Sequence, residues 1–440
     1  MRTGLFLFGQ DLRLDDHPAL GSLAARVDRL LCVFVVDPLW FKPGWCQRPS
    51  LGPHRWKFLY ESLLDLQADL QSQGQQLVVV WGDPIVEVGA LIQRWGVTDV
   101  ARSAHPGVYE NRQWQELQQR FGEVRFSQAH TATLFSPERL PFALEDLPGH
   151  FSPFRRKVEK RAQVRPPEAM LSQLPAMVSD DLPREWPKEL PKVDFDKAAD
   201  WVGGSRMGNM QLNEFLFQTH AVQSYKETRN ALDTPLASSR LSPWLANGSL
   251  SVARVAAELA RYEQEVLANE STYWLFFELL WREYFQWYAW RHGQRLFAFA
   301  GVREQRPMTS HYAQRLRAWE AGETGYPIVD ACMRQLATTG WMSNRGRQLV
   351  ASCFVHELEL DWRFGATWFE QQLVDYDLGS NYGNWQYLAG VGADPRGHRR
   401  FDLAKQTRMY DPNEEFIRKW GSAEVVPLNA VDAADWPYSS

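Results

Sequence analysis

Four short apolar runs in the first third of the chain, TGLFLF, RLLCVFVV, QQLVVVWG and TDVARS, are separated by stretches of helical period. Runs of this length, bounded by charge or turn residues, read as strands buried on both faces. The stretch HRWKFLYESLLDLQADLQSQG spaces its apolar residues for a helix and stops at Gly74, a residue type that ends helices. Strand–helix alternation implies an α/β fold, a doubly wound parallel sheet of Rossmann-like form, over residues 1–130. No G-x-G-x-x-G follows the first run, so a dinucleotide is not predicted in this unit.

Prolines then recur and periodicity fades, as in RPPEAM and DLPREWPKELPKVD. Residues 131–203 therefore read as a connector lying on the surface. From residue 204 to 440 the pattern is helical, with ARVAAELARYEQEVL, STYWLFFELLWREYFQWYAWRHG, DACMRQLATTG and RGRQLVASCFVHELEL. The expected architecture is an α/β domain, a connector and an all-helical C-terminal domain.

Bulk composition excludes several classes. The four cysteines (Cys32, Cys46, Cys332, Cys353) are scattered without a C-x-x-C, so no metal site is expected and a reducing compartment suits them. No apolar run reaches the ~18 residues of a membrane helix, and GLFLF is too short for a signal-peptide core. A cytoplasmic protein is expected. A net charge of −5 argues against indiscriminate polyanion binding, yet two runs are locally basic. FRRKVEKRAQVR (154–165) holds six bases and one acid; RGHRRFDLAKQTR (396–408) holds five and one. Each reads either as a solvated face or as a phosphate-binding patch. Tryptophan is unusually frequent, at 20 residues, more than core packing alone calls for.

Three helical-domain segments gather charge, amide and aromatic groups: FELLWREYF (277–285), GWMSNRGRQ (340–348) and DYDLGSNYGNWQY (375–387). Glu278 and Arg282 stand four apart, the spacing of a helix salt bridge. Arg347 is a candidate partner for Asp375 or Asp377, a pairing that burial would require to be fully hydrogen-bonded. In SSRLSPWLANGSLS (238–251), hydroxyls beside a helix start suit either ordinary capping or phosphate binding.

Together with DWRFGATWFEQQLV, TGYPIVDACMRQLATTGWMSNRGRQ, KQTRMYDPNEEFIRKW and the N-terminal DLRLDDHPAL, these segments closely resemble the photolyase/cryptochrome family, most of all its DASH branch. The resemblance covers the whole chain. It implies FAD in the helical domain, a folate antenna on the α/β domain, and light-driven repair of cyclobutane pyrimidine dimers in DNA, preferentially single-stranded, by a monomer that binds no membrane. By matching position it implies that Tyr225, Ser238, Ser239, Arg240, Leu241 and Ser242 hold the FAD phosphates, with Arg282 nearby. Asn344, Arg347, Asp375, Asp377 and Asn381 would surround the flavin. Glu278, Trp281 and Tyr387 would line the lesion pocket, with Asn344 and Asn381 completing the catalytic set. Trp385 and Trp362 would pass electrons, and Glu110 would hold the antenna. Arg229, Arg155, Arg156, Lys157, Arg399, Arg400, Lys405 and Gln406 would contact DNA. The glycines of the 375–387 segment are expected to let backbone approach the flavin ring.

Two positions depart from the family pattern. Tyr109 stands where a folate-binding relative has asparagine, and Thr309 stands where the outer tryptophan of the electron chain belongs. Tyr312 and Trp319 are the nearby redox-active alternatives. A four-cysteine iron–sulfur site is not expected, and Asn344 in place of histidine argues against the (6-4) branch. The competing readings are a blue-light receptor without repair and a flavin-carrying nucleic-acid binder with neither activity. Because the chain stops about twenty residues after FIRKW, without a long extension, repair is the favoured expectation.

Overall fold

A computed structural model of the 440-residue chain describes residues 1–171, 173–195, 201–394, 396 and 399–421. Five parallel strands, β1 (Thr3–Phe8), β2 (Arg29–Val36), β3 (Leu77–Trp81), β4 (Asp99–Ser103) and β5 (Arg125–Ala129), form a sheet in the order β3-β2-β1-β4-β5. Helices α1 (Pro18–Ala24), α2 (Pro53–Ser72), α3 (Pro84–Trp95) and α4 (Val108–Arg120) connect them. Strand alternation divides the core in two. Phe6, Phe8, Leu30, Cys32 and Phe34 pack with Leu20, Leu23 and Trp56 of α1 and α2 on one face. Leu5, Leu31, Val33 and Val35 pack with Val88, Ile92, Trp114 and Leu117 of α3 and α4 on the other. Both faces are covered, as a doubly wound sheet requires. A two-residue strand, β6 (Ala176–Met177), adds to β2.

The chain then continues through α5 (Phe151–Arg161), α6 (Ser205–Asn213), α7 (Tyr225–Thr228), α8 (Ser242–Ala246), α9 (Val252–Glu265) and α10 (Glu270–His292). It ends in α11 (Ala313–Ala321), α12 (Pro327–Thr339), α13 (Asn344–His356), α14 (Trp362–Gln372), α15 (Leu378–Leu388), α16 (Leu403–Tyr410) and α17 (Glu415–Trp420). The longest, α10, is apolar nearly all round and runs through the helical core, with a capping box at Asn269.

The expected surface connector is corrected by this structure. Leu134, Phe135, Phe151, Phe154 and Val158 are buried in the helical-domain core. Position 131 onward is tied there by Glu283 of α10, which accepts from Leu134 N (2.7 Å), Phe135 N (3.3 Å) and Trp287 Nε1 (2.6 Å). Burial pushes that carboxyl up to about 7 against the pull of its three donors. Prolines and loops concealed a helix whose apolar residues stand three and four apart. Residues 172 and 196–200 of the connector lie outside the described residues.

The segment after β1, DLRLDDHP, joins the domains through buried charge. Arg13 donates to Asp15 O (2.9 Å), Asp16 O (3.0 Å), Thr131 O (3.0 Å) and Gly248 O (2.7 Å). Asp16 accepts two bonds from Arg165 (2.5 and 2.6 Å), one from Glu168 N (2.9 Å) and one from the Ser251 hydroxyl. Asp15 accepts from Arg254 at 2.7 and 3.0 Å. Gly248, in the left-handed region at φ 71°, leaves no room for a Cβ, which would lie 2.2 Å from Gln10 O. Burial alone would raise the Asp16 carboxyl, but the bonds from Arg165 and Ser251 outweigh it and hold it below its ordinary value. Its stabilising contribution is therefore present above the ordinary aspartate range and lost as pH falls through the depressed value. Asp16→Ala leaves Arg165 unpaired in a half-buried site, and is expected to destabilise the protein by about 3–5 kcal/mol. A urea titration followed by fluorescence checks this; an unchanged midpoint refutes it.

Candidate flavin and nucleic-acid site

Helices α10 and α15 lie directly on one another because Gly379 and Gly383 face Phe285. A Cβ at Gly379 would sit 2.6 Å from Phe285 O, and one at Gly383 2.3 Å from its ring. The glycines thus serve helix–helix approach, a correction to the expectation that they admit a cofactor ring. Beside this contact opens a cleft of about 100 Å³, lined by Asn344, Arg347, Asp375, Asp377, Asn381 and Trp385, and also by Gln348, Ser380 and Asn384.

Its polar groups hold one another in place. Arg347 donates to both Asp375 oxygens (3.0 and 2.8 Å) and through Nε to Met342 O (2.9 Å). Of the two candidate partners, Asp375 is the one it pairs with. Asp377 caps α15 by accepting from Ser380 N (2.7 Å), and its second oxygen accepts from Gln286 Nε2 (2.5 Å). Asn381 donates through Nδ2 to Ala366 O (3.0 Å), which leaves its carboxamide oxygen as the acceptor offered to the cleft. Asn344 opens α13 and is exposed.

In the 225–242 region, Tyr225 is buried and bonded to Ser238. The Ser239 carbonyl accepts from Gln211 (3.1 Å), Leu241 is buried, and Ser242 begins α8. Arg240 takes a left-handed backbone (φ 51°) that turns its guanidinium over Trp341 at 4.6 Å, and its Nε is buried without a partner. Arg229 and Arg345 of the same domain also have a buried Nε without a partner. Arg282 donates to the carbonyls of Ala132 (2.5 Å) and Leu245 (3.1 Å), bracing the segment around α8. It does not pair with Glu278, so the salt bridge that the four-residue spacing allowed is not formed.

Glu278 pairs instead with Arg229 of the loop after α7, at 2.7 Å. Burial raises its carboxyl above the ordinary glutamate range, with Arg229 opposing. Trp281, one turn on, stands edge-on to Tyr387 of α15, with centroids 6.1 Å apart at 82°. Arg399 lies over Tyr387 at 4.6 Å and pairs with Asp394 at 3.1 Å. Two neighbours of this corner escaped sequence reading. Phe151 of α5 stacks on Trp281 at 3.8 Å, and Arg345 reaches Asn230 (3.1 Å), Gln348 (2.9 Å) and the ring of Tyr410 (4.6 Å). Arg345 has no carboxylate among these partners; its signal was the paired arginines of SNRGRQ.

The basic runs divide in use. On α5, Arg156 and Lys157 are exposed, while Arg155 bonds Tyr273 (3.2 Å) and approaches Glu159 (3.7 Å). Arg165 is not available to a phosphate because Asp16 engages it twice. In the second run, Arg400 makes two 2.9 Å bonds to Glu357 at the surface, Lys405 is exposed, and Gln406 is half-buried on α16. Gly397 and His398 lie outside the described residues.

Trp385, Trp362 and Trp319 are all fully buried. Trp385 contacts Trp319 (6.2 Å, 71°), while Trp362 contacts Tyr382 (6.3 Å) and donates to Phe299 O (3.0 Å). Thr309 is half-buried. In the α/β domain, Glu110 approaches His105 at 3.6 Å, and His105 meets Gln10 at 3.0 Å. This lies at the carboxyl ends of β1 and β4, where the sheet order reverses and ligands of doubly wound folds bind. Among the described residues no group of three or more His, Cys, Asp or Glu could hold a metal, and no helix is long and apolar enough to cross a membrane.

A doubly wound parallel α/β domain is thus joined to a helical domain with an acid–arginine–amide cleft, and sequence comparison gives both domains a family. Residues 4–174 match the family described as DNA photolyase, and residues 274–432 the FAD binding domain of DNA photolyase. The chain belongs to the photolyase/cryptochrome family. Within it, the chain is 50% identical to Cryptochrome DASH of Idiomarina loihiensis, over 99% of this chain and 96% of the relative. The fold superposes on the Synechocystis sp. cryptochrome with a TM-score of 0.91 at 36% identity, covering 96% and 88% of the two chains. A class III photolyase of Agrobacterium tumefaciens gives 0.80 at 28%, covering 96% and 86%.

The cleft's donors and acceptors fit FAD. Arg347 with Asp375, Asp377 and Asn381 would hold its ring system, and Arg240 with the 238–242 turn its phosphates. Asp375→Asn removes a charge-assisted contact from Arg347 and is expected to weaken FAD retention about ten- to a hundredfold. Flavin absorbance per chain after dialysis checks this; full retention would place FAD binding elsewhere.

Proposed function

We propose that this chain is a light-driven repair enzyme for cyclobutane pyrimidine dimers, acting mainly on single-stranded DNA as a monomer. The observation that carries the proposal is the edge-to-face meeting of Trp281 with Tyr387, with Glu278 one turn before Trp281 on α10, next to α15, which also lines the FAD cleft. FAD, when bound and reduced, supplies a light-excited electron donor. Everything else is work for the chain.

A fused pyrimidine pair must leave the base stack to reach a pocket, which costs least in a single strand. Trp281 and Tyr387, set edge to face, make an apolar corner for the flipped pair. Glu278, whose carboxyl is raised by burial against the pull of Arg229 at 2.7 Å, would hydrogen-bond the flipped pair at this corner. Exposed Arg156, Lys157 and Lys405, with surface-paired Arg400, would bind phosphates without reading sequence. The Glu110–His105 pair marks where a folate antenna would sit, its carboxylate accepting from pterin N–H groups; Tyr109, 73% exposed, points the family departure towards solvent.

Under blue light the protein should convert dimers in single-stranded oligonucleotides faster than in duplex, with none converted in the dark. No repair in either form would refute the proposal. Glu278→Ala should retain FAD and lose about ten- to a hundredfold in repair. Glu278→Gln keeps a hydrogen-bonding side chain of the same size and should retain more repair than Glu278→Ala.

Light-driven reduction of bound FAD by external thiol depends on a different path. Trp385→Phe should abolish most of it while sparing repair by chemically reduced protein. Because Trp319 contacts Trp385, Trp319→Phe should lower the reduction yield more than Tyr312→Phe. Equal yields in all three variants would reject this path.

A further inference from the structure

Helix α5 falls within the residues that match the first family region, yet its apolar side belongs to the helical domain. It lies along one stripe of α10 formed by Tyr273, Phe277, Trp281 and Tyr284, which recur at three- and four-residue spacing. Tyr273 donates to Glu159 at 2.6 Å and accepts from Arg155 at 3.2 Å. Phe151 meets Phe277 edge-on at 5.2 Å, and Phe154 meets Tyr284 at 5.3 Å. The contact between Phe151 and Trp281 differs from these. The rings are nearly parallel, 13° apart with centroids at 3.8 Å, so Phe151 covers one face of the indole.

The first turn of α5 is also fixed from the other side. His150, immediately before it, bonds through Nδ1 to Ala393 O at 2.9 Å. Ala393 precedes Asp394, the partner of Arg399, and Arg399 covers Tyr387. One helix start therefore touches both walls of the aromatic corner: Trp281 directly, and Tyr387 by way of Ala393, Asp394 and Arg399. The same helix carries exposed Arg156, Lys157, Lys160 and Arg161 within about three turns.

We propose that Phe151 is a positioning residue for lesion recognition: it sets the plane of Trp281, so that the indole meets a flipped pyrimidine pair in one orientation, and it couples that orientation to the phosphate-binding helix α5. This rests on the repair reading above. Phe285 stacks on the same indole less closely, at 5.6 Å and 28°, so an indole deprived of Phe151 keeps only this looser neighbour and could turn about its side-chain bonds, presenting its edge where a flat face is needed. The polar contacts of the corner, Glu278 with Arg229 and Arg399 with Asp394, would stay in place. The loss would fall on damaged strands alone, because an intact single strand is held by its phosphates and does not use the corner.

The experiment measures binding of FAD-loaded protein, in the dark, to a single-stranded oligonucleotide with one cyclobutane thymine dimer and to the same strand undamaged. Phe151→Leu should weaken binding of the damaged strand about two- to tenfold, the worth of an aromatic pair. Affinity for the undamaged strand, its salt slope and FAD content should be unchanged, and Phe151→Tyr should restore discrimination. In a Trp281→Leu background, Phe151→Leu should have no further effect, since it acts through the indole. An equal loss on both strands, or an additive loss in the Trp281→Leu background, would overturn the assignment and make Phe151 a fold residue. If Phe151→Leu loses FAD, Phe151→Met takes its place with the same criteria. Wild-type protein with no preference for the damaged strand would reject the repair reading itself, a result distinguishable from a silent Phe151→Leu on a discriminating enzyme.

Discussion

The buried ion network centred on Arg13, Asp16 and Arg165 is the constraint on which the two-domain arrangement rests. It recruits one segment from each part of the chain: the turn after β1, the stretch at 165–168, and the 248–254 segment leading into α9. Burial of so much charge is costly unless every partner is present. Here each carboxylate accepts several bonds and Arg13 spends its donors on four backbone carbonyls, so the network closes only when the domains are docked in one way. That docking brings Gln10, His105 and Glu110 of the α/β domain towards the helical one. Arg55 of α2 comes to stack over Tyr376 at 4.4 Å, between the two cleft aspartates in sequence.

A second constraint acts inside the helical domain. Close approach of α10 and α15 at Gly379 and Gly383 places Gln286 against Asp377 and Trp281 beside Tyr387. The cofactor cleft and the aromatic corner thus share α15, and α10 reaches the cleft through the Gln286–Asp377 bond. Much of the cleft's polarity is satisfied internally, through Arg347 with Asp375 and Ser380 with Asp377, which pre-organises it. What stays open includes the carboxamide oxygen of Asn381, exposed Asn344, and the buried Nε of Arg240, a feature Arg229 and Arg345 share.

Legibility differed among elements for physical reasons. The four apolar runs appeared as strands at nearly their read boundaries, because a strand buried on both faces must be apolar throughout. β5, RFSQA, escaped notice: an edge strand exposed on part of its surface carries no continuous apolar run. Helix α5 was hidden by its charge, since five of its eleven residues are Lys or Arg. The pair formed by Glu278 illustrates a different limit. Four-residue spacing pointed to Arg282, but local spacing says only which groups are neighbours on a helix, while Arg229 arrives from another segment with a shorter, better-placed contact.

Sequence alone therefore determined the class of each domain, the family, and which segments gather charged, amide and aromatic residues, because periodicity and motif order are properties of the chain itself. Only tertiary structure decided the partners. It paired Arg347 with Asp375, set Asp377 on Gln286, turned Arg282 to backbone carbonyls and locked Arg165 away from solvent. It also laid Phe151 on Trp281 across a separation of 130 residues. Such choices depend on which groups burial leaves unsatisfied, and that is known only once the helices have packed.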